Sequence, residues 1–153
     1  MATATMERTA RREPPEGVAF DPGHTAFWLL RLGFFVAPVL FGLDKFFNWM
    51  VDWPEYLWVG FSDFFPGSAQ QIMYGVGVLE IAAGLLVLLR PRLGGPVVAA
   101  WLAGVVTNLV IVGIAEGEYW DIALRDFGLM MGATVLGLLA WKYEGTRLRF
   151  GRR

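Results

Sequence analysis

Apolar residues gather into long uncharged runs that are separated by short polar segments. Between Arg92 and Glu116 the chain has 23 consecutive residues without a charge, and residues 64–79 and 127–141 are also uncharged. The run from residue 32 to residue 43 becomes equally long if Arg31 and Asp44 lie near its ends. Because a helix needs about 20 apolar residues to cross the hydrocarbon core of a bilayer, these runs predict four transmembrane helices, at roughly residues 26–47, 68–89, 96–115 and 121–141.

The pattern therefore predicts an all-α fold, an integral membrane four-helix bundle in residues 25–142. Residues 1–24 contain three prolines and no apolar period, so we predict a disordered tail there. Residues 143–153 form a second, basic tail. Ser68 and Gln71 have the spacing of a capping box and predict the start of the second helix at Ser68.

The distribution of basic residues predicts the orientation of the bundle. The short connection at residues 90–96 and the C-terminal tail are basic, whereas the other two connections contain no Lys or Arg. The positive-inside rule then places both termini in the cytoplasm. In this arrangement ten of the 13 basic residues are cytoplasmic, namely Arg8, Arg11, Arg12, Arg90, Arg92, Lys142, Arg147, Arg149, Arg152 and Arg153.

The predicted extracytoplasmic loop between helices 1 and 2, at residues 48–67, is aromatic. Acidic residues are interleaved with its rings, which are Trp49, Trp53, Tyr56, Trp58, Phe61, Phe64 and Phe65. Such rings favour the headgroup level of a membrane, where their apolar faces and polar edges are both satisfied. Two interpretations follow, an aromatic belt and a lid over an outward-facing site.

Composition excludes several classes of redox protein. Hydrophobic residues make up 56% of the chain and charged residues 18%, and the chain has no cysteine and a single histidine, His24. These counts exclude disulfide relays, thiolate nucleophiles, iron–sulfur clusters, bis-histidine haem and multi-histidine metal sites. We expect no metal and no covalently bound cofactor. Because the basic residues flank the membrane instead of lining one groove, we also expect no nucleic-acid partner.

Polar residues near the predicted outer ends of helices 1, 3 and 4 form one candidate binding cluster, consisting of Asp44, Lys45, Asn108, Arg125 and Asp126. Charged groups inside a membrane cost about 2.5–3.5 kcal/mol each near its centre, so they face partners or water. In one interpretation Lys45 and Arg125 bind an anion in an outward-opening pocket while Asp44 and Asp126 orient them. In the other, the charges compensate each other and clamp helices together.

Glu80 is the candidate catalytic residue, because it lies about 13 Å from the nearer membrane boundary at 1.5 Å per residue. At that depth a neutral acid could exchange a proton or donate a hydrogen bond to a ligand. Its nearest candidate partner is Arg31, and an Arg31–Glu80 pair would keep Glu80 ionised. Alternatively, Arg31 reaches the cytoplasmic headgroups. Tyr74 and Trp101 are either packing residues or the borders of a quinone ring.

Together these residues resemble the pattern of the DoxX family. The resemblance rests on Arg31, Gly42-Leu43-Asp44-Lys45-Phe46, Gly77-x-x-Glu80-x-x-x-Gly84, Asn108 and Arg125-Asp126, and it covers roughly residues 26–141. It implies a four-helix protein of prokaryotic cytoplasmic membranes. Family members include a subunit of thiosulfate:quinone oxidoreductase and partners of membrane-associated redox complexes, so the resemblance implies quinone as a cofactor.

The leading hypothesis is a membrane subunit, or partner, of a quinone-linked or thiol-stress redox complex. Its electrons would pass directly between substrate and quinone or come from a partner redox protein. The first alternative is a non-catalytic membrane anchor or assembly protein. The second is a small proton-coupled exporter that acts as a homodimer through Glu80. Membrane lipids are expected partners in every case.

Overall fold

The computed structural model describes residues 21–60 and 67–145, and all regular structure within them is helical. Four long helices follow one another: α1 (Pro22–Asp44), α2 (Ala69–Leu89), α3 (Pro91–Glu116) and α4 (Trp120–Tyr143). A short 3-10 helix, Trp53–Tyr56, lies in the connection after α1. Each long helix is long and apolar enough to cross a membrane. The predicted all-α fold with four candidate spans of a multi-pass membrane protein is therefore confirmed.

The four helices form an antiparallel bundle in which α1 packs on α2, α2 on α3, α3 on α4, and α4 back on α1. At one end, here called the terminal end, the Tyr143 hydroxyl donates a 3.0 Å hydrogen bond to Asp21, and Arg90 lies between α2 and α3. The opposite end, here called the loop end, carries residues 45–60 and 117–119. Both boundary residues of the described chain, 21 and 145, belong to the terminal end.

Apolar side chains cover the outside of the bundle as well as its core. Leu29, Ile114 and Leu138 are 67%, 74% and 67% exposed, as is expected of helices whose outer faces contact lipid tails. The core lies toward the terminal end, where Phe27 and Leu136 are fully buried.

Glycines set the closest helix contacts. A methyl group added at Gly42 would lie 2.6 Å from the carbonyl oxygen of Gly77, and one added at Gly77 would lie 2.6 Å from that of Gly42. The α1 and α2 backbones therefore touch there, as small residues permit in membrane helices. Gly95 approaches Gly137 of α4 in the same way.

The segment at residues 90–96, predicted to be a loop, is almost entirely helical. Helix α3 begins at Pro91 directly after Arg90 and continues through Pro96. Proline suits the first helical position because it has no N–H to leave unpaired. Gly94 and Gly95 resemble a turn in the sequence, but they are packing residues, since a methyl group at Gly94 would lie 2.5 Å from the backbone of Val87.

The helix ends follow local hydrogen bonds. The Ser68–Gln71 capping box is confirmed, with Gln71 N donating to Ser68 Oγ at 3.3 Å and Ser68 N donating to Gln71 Oε1 at 2.9 Å. Helix α1 begins at Pro22 instead of residue 26, because the Asp21 carboxylate accepts hydrogen bonds from the backbone of Gly23 and His24. The rest of the two predicted tails, residues 1–20 and 146–153, lies outside the described residues.

Candidate functional site

A buried ion pair joins the end of α1 to the middle of α2. Lys45 follows the last residue of α1, and its Nζ lies 2.7 Å from Glu80 Oε2, with the two side chains 4% and 14% exposed. The contact between Gly42 and Gly77 brings the two helices close enough for the lysine side chain to reach the acid. The structure thus partners Glu80 with Lys45.

The Trp53 ring and the Asp44 carboxylate complete the surroundings of this lysine. Lys45 Nζ lies 3.5 Å from the centre of the Trp53 ring, a cation–π contact that further compensates the charge. Asp44 Oδ2 accepts a 2.7 Å hydrogen bond from Trp53 Nε1, and Oδ1 accepts from the backbone N–H groups of Trp49 and Met50 at 3.0 and 3.2 Å. Asp44 therefore folds the chain back so that Trp53 covers Lys45.

Asn108 holds the same connection from α3. Its Nδ2 donates to the Tyr56 carbonyl at 2.8 Å, and its Oδ1 accepts from Trp58 N at 3.1 Å. The amide thus satisfies one backbone group in the last residue of the 3-10 helix and one that follows this helix. Phe61, Phe64 and Phe65 of the predicted aromatic loop lie outside the described residues.

Arg125 and Asp126 form a local pair on α4. Arg125 Nε lies 3.0 Å from Asp126 Oδ1, with the arginine side chain 61% exposed and the aspartate side chain 9% exposed. Asp126 also interacts electrostatically with Lys45 and Glu80, so it belongs to the buried cluster. Lys45 is enclosed whereas Arg125 is open, so the geometry does not offer the two cations jointly to one outer anion.

Arg31 lies apart from Glu80. Its guanidinium donates a hydrogen bond to the Leu88 carbonyl and lies 4.6 Å from the Trp28 ring centre. The Arg31–Glu80 pair considered from the sequence is therefore not formed, because α1 presents Lys45 to Glu80 and leaves Arg31 nearer the terminal end. Arg31 contributes instead to the contact between α1 and the last turn of α2.

A cavity of about 300 Å³ opens between the helices beside Glu80. Side chains from all four long helices line it, including Phe34, Phe41, Glu80, Val98, Trp101 and Leu129. Glu80 is the charged residue of this otherwise apolar lining. Such a volume lies at the lower end of the range for small-molecule sites, about 300–1,000 Å³.

Trp101 also lines this cavity, and its indole N–H is a hydrogen-bond donor without an ordinary acceptor in the part of the chain that the structure describes. Its buried Nε1 interacts with the Glu80 carboxylate, but no acceptor in the described residues lies in the geometry of an ordinary hydrogen bond. An indole N–H can only donate, so a ligand that meets it must supply an acceptor oxygen. Lys45 occupies Glu80 Oε2, so Oε1 is the carboxylate oxygen that the ion pair leaves for other donors.

The two aromatic residues considered as quinone borders have different surroundings. Trp101 lines the cavity, whereas Tyr74 stacks on Phe46 with ring centres 5.4 Å apart.

Sequence reasoning missed Trp53 as a partner of Lys45. The only signal was its place in the aromatic loop, since no periodicity connects it to a helix end.

The buried polar residues therefore divide into two groups. Asp44 and Asn108 hold the connection after α1, while Glu80 and Trp101 line the apolar cavity and Lys45 pairs with Glu80 from outside that lining. This second group can accept and donate hydrogen bonds at one end of an otherwise apolar ligand.

Comparison with protein-family models, with curated proteins and with solved structures finds no match to this chain.

Proposed function

We propose that the chain is a membrane subunit that holds a lipid-soluble quinone for a redox complex, as its DoxX-like motifs imply. The observation that supports this proposal is the cavity between the four helices, which combines an apolar lining with the Trp101 N–H and the Glu80 carboxylate. We place the protein in a prokaryotic cytoplasmic membrane with both termini inside, on the basis of that resemblance and of the positive-inside rule.

The polar groups suit both redox forms of a quinone. A ring carbonyl of the oxidised form accepts a hydrogen bond from Trp101 Nε1, and a hydroxyl of the reduced form donates one to Glu80 Oε1. Oxidation of the hydroquinone to the quinone releases two electrons and two protons, and we assign the protons to water because Glu80 stays paired with Lys45. A chain without cysteine and with one histidine has no iron–sulfur or bis-histidine haem relay of its own, so we assign the electrons to a partner redox protein.

Glu80 has the role of a hydrogen-bond acceptor in this proposal. If Glu80 took up a proton, Lys45 would lose its charged partner in a buried position, and such a loss is costly. The ion pair therefore favours a carboxylate that stays ionised and orients the ligand. The same reasoning opposes the proton-coupled exporter, whose cycle requires Glu80 to gain and lose a proton.

Binding of a short-chain ubiquinone analogue to the full chain in lipid nanodiscs tests the proposal. We expect saturable binding that Trp101→Phe weakens by about two- to tenfold, because one hydrogen bond contributes about 0.5–1.5 kcal/mol. Trp49→Phe is the matched control, since Trp49 is 81% exposed in the connection after α1. Absence of saturable binding, or equal weakening by both variants, would contradict the proposal.

A non-catalytic anchor is the second candidate function. The observation that favours it is that Asp44, Asn108 and Lys45 each bond within the chain, as residues that only shape a protein do. Gentle purification from the native membrane separates the two candidates. A co-purifying redox protein together with extractable quinone supports the quinone subunit, whereas a stable partner without quinone supports the anchor.

A further inference from the structure

A second cavity, of about 540 Å³, lies at the terminal end of the bundle and is separate from the one beside Glu80. It is formed where the turn between α2 and α3 meets the last turn of α4. Its lining includes Leu89, Arg90, Arg92, Leu93, Trp141 and Glu144. Two arginines against one glutamate give this lining an excess of positive charge.

Arg92 forms one side of this cavity, and several contacts hold its side chain in place. Its Nε lies 2.9 Å from Glu144 Oε2, and its guanidinium donates to the Trp141 carbonyl at 3.0 Å and to the Ala140 carbonyl at 3.3 Å. The guanidinium carbon also lies 5.3 Å from the centre of the Trp141 ring. Arg92 and Glu144 thus largely compensate each other while they join α3 to α4.

Arg90 supplies the positive charge of this cavity that Glu144 does not compensate. Its side chain is exposed and has no hydrogen bond or ion pair within residues 21–60 and 67–145. It immediately precedes α3, whose N-terminus has no side-chain cap. Arg90 also follows the last residue of α2, so the opposite partial charges of the two helix ends offset each other. The charge of the arginine itself therefore favours an anion in the cavity.

Apolar side chains surround the same charge. Leu89, Leu93 and Trp141 are 70%, 61% and 70% exposed, and they belong to helices able to cross a membrane. A ligand in this cavity would have its polar head beside an arginine and its apolar part beside these exposed side chains. Basic pockets between membrane helices bind anionic lipid head groups for this reason.

We propose that the cavity at the terminal end binds an anionic phospholipid, whose phosphate contacts Arg90 and whose acyl chains lie along Leu89, Leu93 and Trp141. Arg92 and Glu144 form the fixed wall that shapes the site. The proposal concerns a different cavity from that of the quinone, so either can hold without the other. Free phosphate shares the head-group chemistry, and the experiment distinguishes it from the lipid.

The test measures how much phosphatidylglycerol and phosphatidylcholine remain bound to the full chain in mixed detergent micelles, by native mass spectrometry. We expect phosphatidylglycerol to be retained in preference, and Arg90→Gln to reduce its retention by about fivefold. The control is Lys142→Gln, which removes a charge at the same end from a residue that does not line the cavity. We expect it to change retention by less than about twofold, since an exposed charge acts only through the screened field.

Three results would overturn the proposal. Equal losses in Arg90→Gln and Lys142→Gln would indicate a diffuse charge effect without a site. Equal retention of the two lipids would remove the requirement for an anionic head group. Displacement of phosphatidylglycerol by inorganic phosphate would assign the site to a free anion. Unchanged thermal unfolding of Arg90→Gln serves to confirm that the variant is folded.

Discussion

Lys45 and Glu80 form a 2.7 Å ion pair that joins the end of α1 to the middle of α2. Trp53 covers the lysine from one side, and the apolar cavity borders the glutamate. The pair thus stands between the connection after α1 and the interior of the bundle. It both holds two helices together and fixes the carboxylate that we assign to ligand binding.

Removal of the acid should destabilise the bundle strongly. Glu80→Gln leaves Lys45 buried without its counter-charge, and breaking a buried pair costs about 3–5 kcal/mol. Unfolding in mixed micelles with increasing sodium dodecyl sulfate measures this cost. The double variant Lys45→Met with Glu80→Gln removes the uncompensated charge, so it should recover much of the loss. If the single variant unfolds like the wild type, the pair does not hold the helices together.

The contact between Gly42 and Gly77 makes a second prediction about the same pair of helices. Gly77→Ala places a methyl group against the α1 backbone, and overpacking of this kind costs about 1–3 kcal/mol. Gly75→Ala is a matched control on the same helix, because nothing lies within 4 Å of a methyl group there. The same unfolding assay should show a loss for Gly77→Ala and none for Gly75→Ala. Equal stability of the two variants would contradict the close helix contact.

Asn108 should decide how firmly the connection after α1 is held. Asn108→Ala removes the hydrogen bonds to Tyr56 and Trp58 and should cost about 1–3 kcal/mol, as unpaired buried backbone groups do. Limited proteolysis should then cut residues 45–60 faster. Thr107→Ala is the control, since within the described part of the chain the Thr107 hydroxyl bonds only to the Ala103 carbonyl of its own helix. Unchanged cleavage of the Asn108 variant would show that the loop is held by other contacts.

Asp21 makes stability depend on pH at the terminal end. Desolvation raises the pKa of its carboxyl, but hydrogen bonds from Tyr143, His24 and Gly23 outweigh that effect, and the pKa lies below its ordinary value of 3.8. The unfolded chain therefore binds this proton more readily than the folded protein does. It follows that the charged carboxylate stabilises the fold above pH 3.8 and that this contribution disappears as the pH falls through the lower folded value.

Asp21→Asn isolates this effect, because asparagine caps a helix about as well as aspartate but carries no charge. Thermal unfolding between about pH 2 and pH 6 should show the wild type more stable than the variant at the upper end of that range. The difference should vanish at the lower end. A constant difference across the range would mean that the ionised carboxylate has no special role.

The four helices could be predicted from the sequence because uncharged runs of membrane-spanning length leave few alternatives. The capping box at Ser68 was equally local, since its two partners are three residues apart. The start of α3 could not be predicted, because Gly94 and Gly95 are typical of a turn in isolation. Only their contacts with Val87 and Gly137 show that they serve helix packing.

The candidate site was predictable only in part. Which side chains pair across two neighbouring helices depends on how far the helices are shifted along each other, and the sequence does not give this shift. The sequence offers Arg31 as the candidate partner of Glu80, whereas the structure pairs Glu80 with Lys45. This pairing depends on the register that the contact between Gly42 and Gly77 sets between α1 and α2. Trp53 belongs to no long helix. Its position over Lys45 follows from the hydrogen bonds of Asp44, which no spacing rule predicts.

The most direct test of the central claim, that the cavity beside Glu80 binds a quinone, is to fill it. Gly33 lines this cavity and has no atom within 4 Å of an added methyl group, so Gly33→Leu should fold and occupy part of the space. Gly104 is equally open but does not line the cavity, which makes Gly104→Leu the control. With binding of a short-chain ubiquinone analogue measured in nanodiscs, we predict that Gly33→Leu loses about tenfold or more in affinity while Gly104→Leu binds like the wild type. Wild-type affinity in a folded Gly33→Leu variant would contradict the claim.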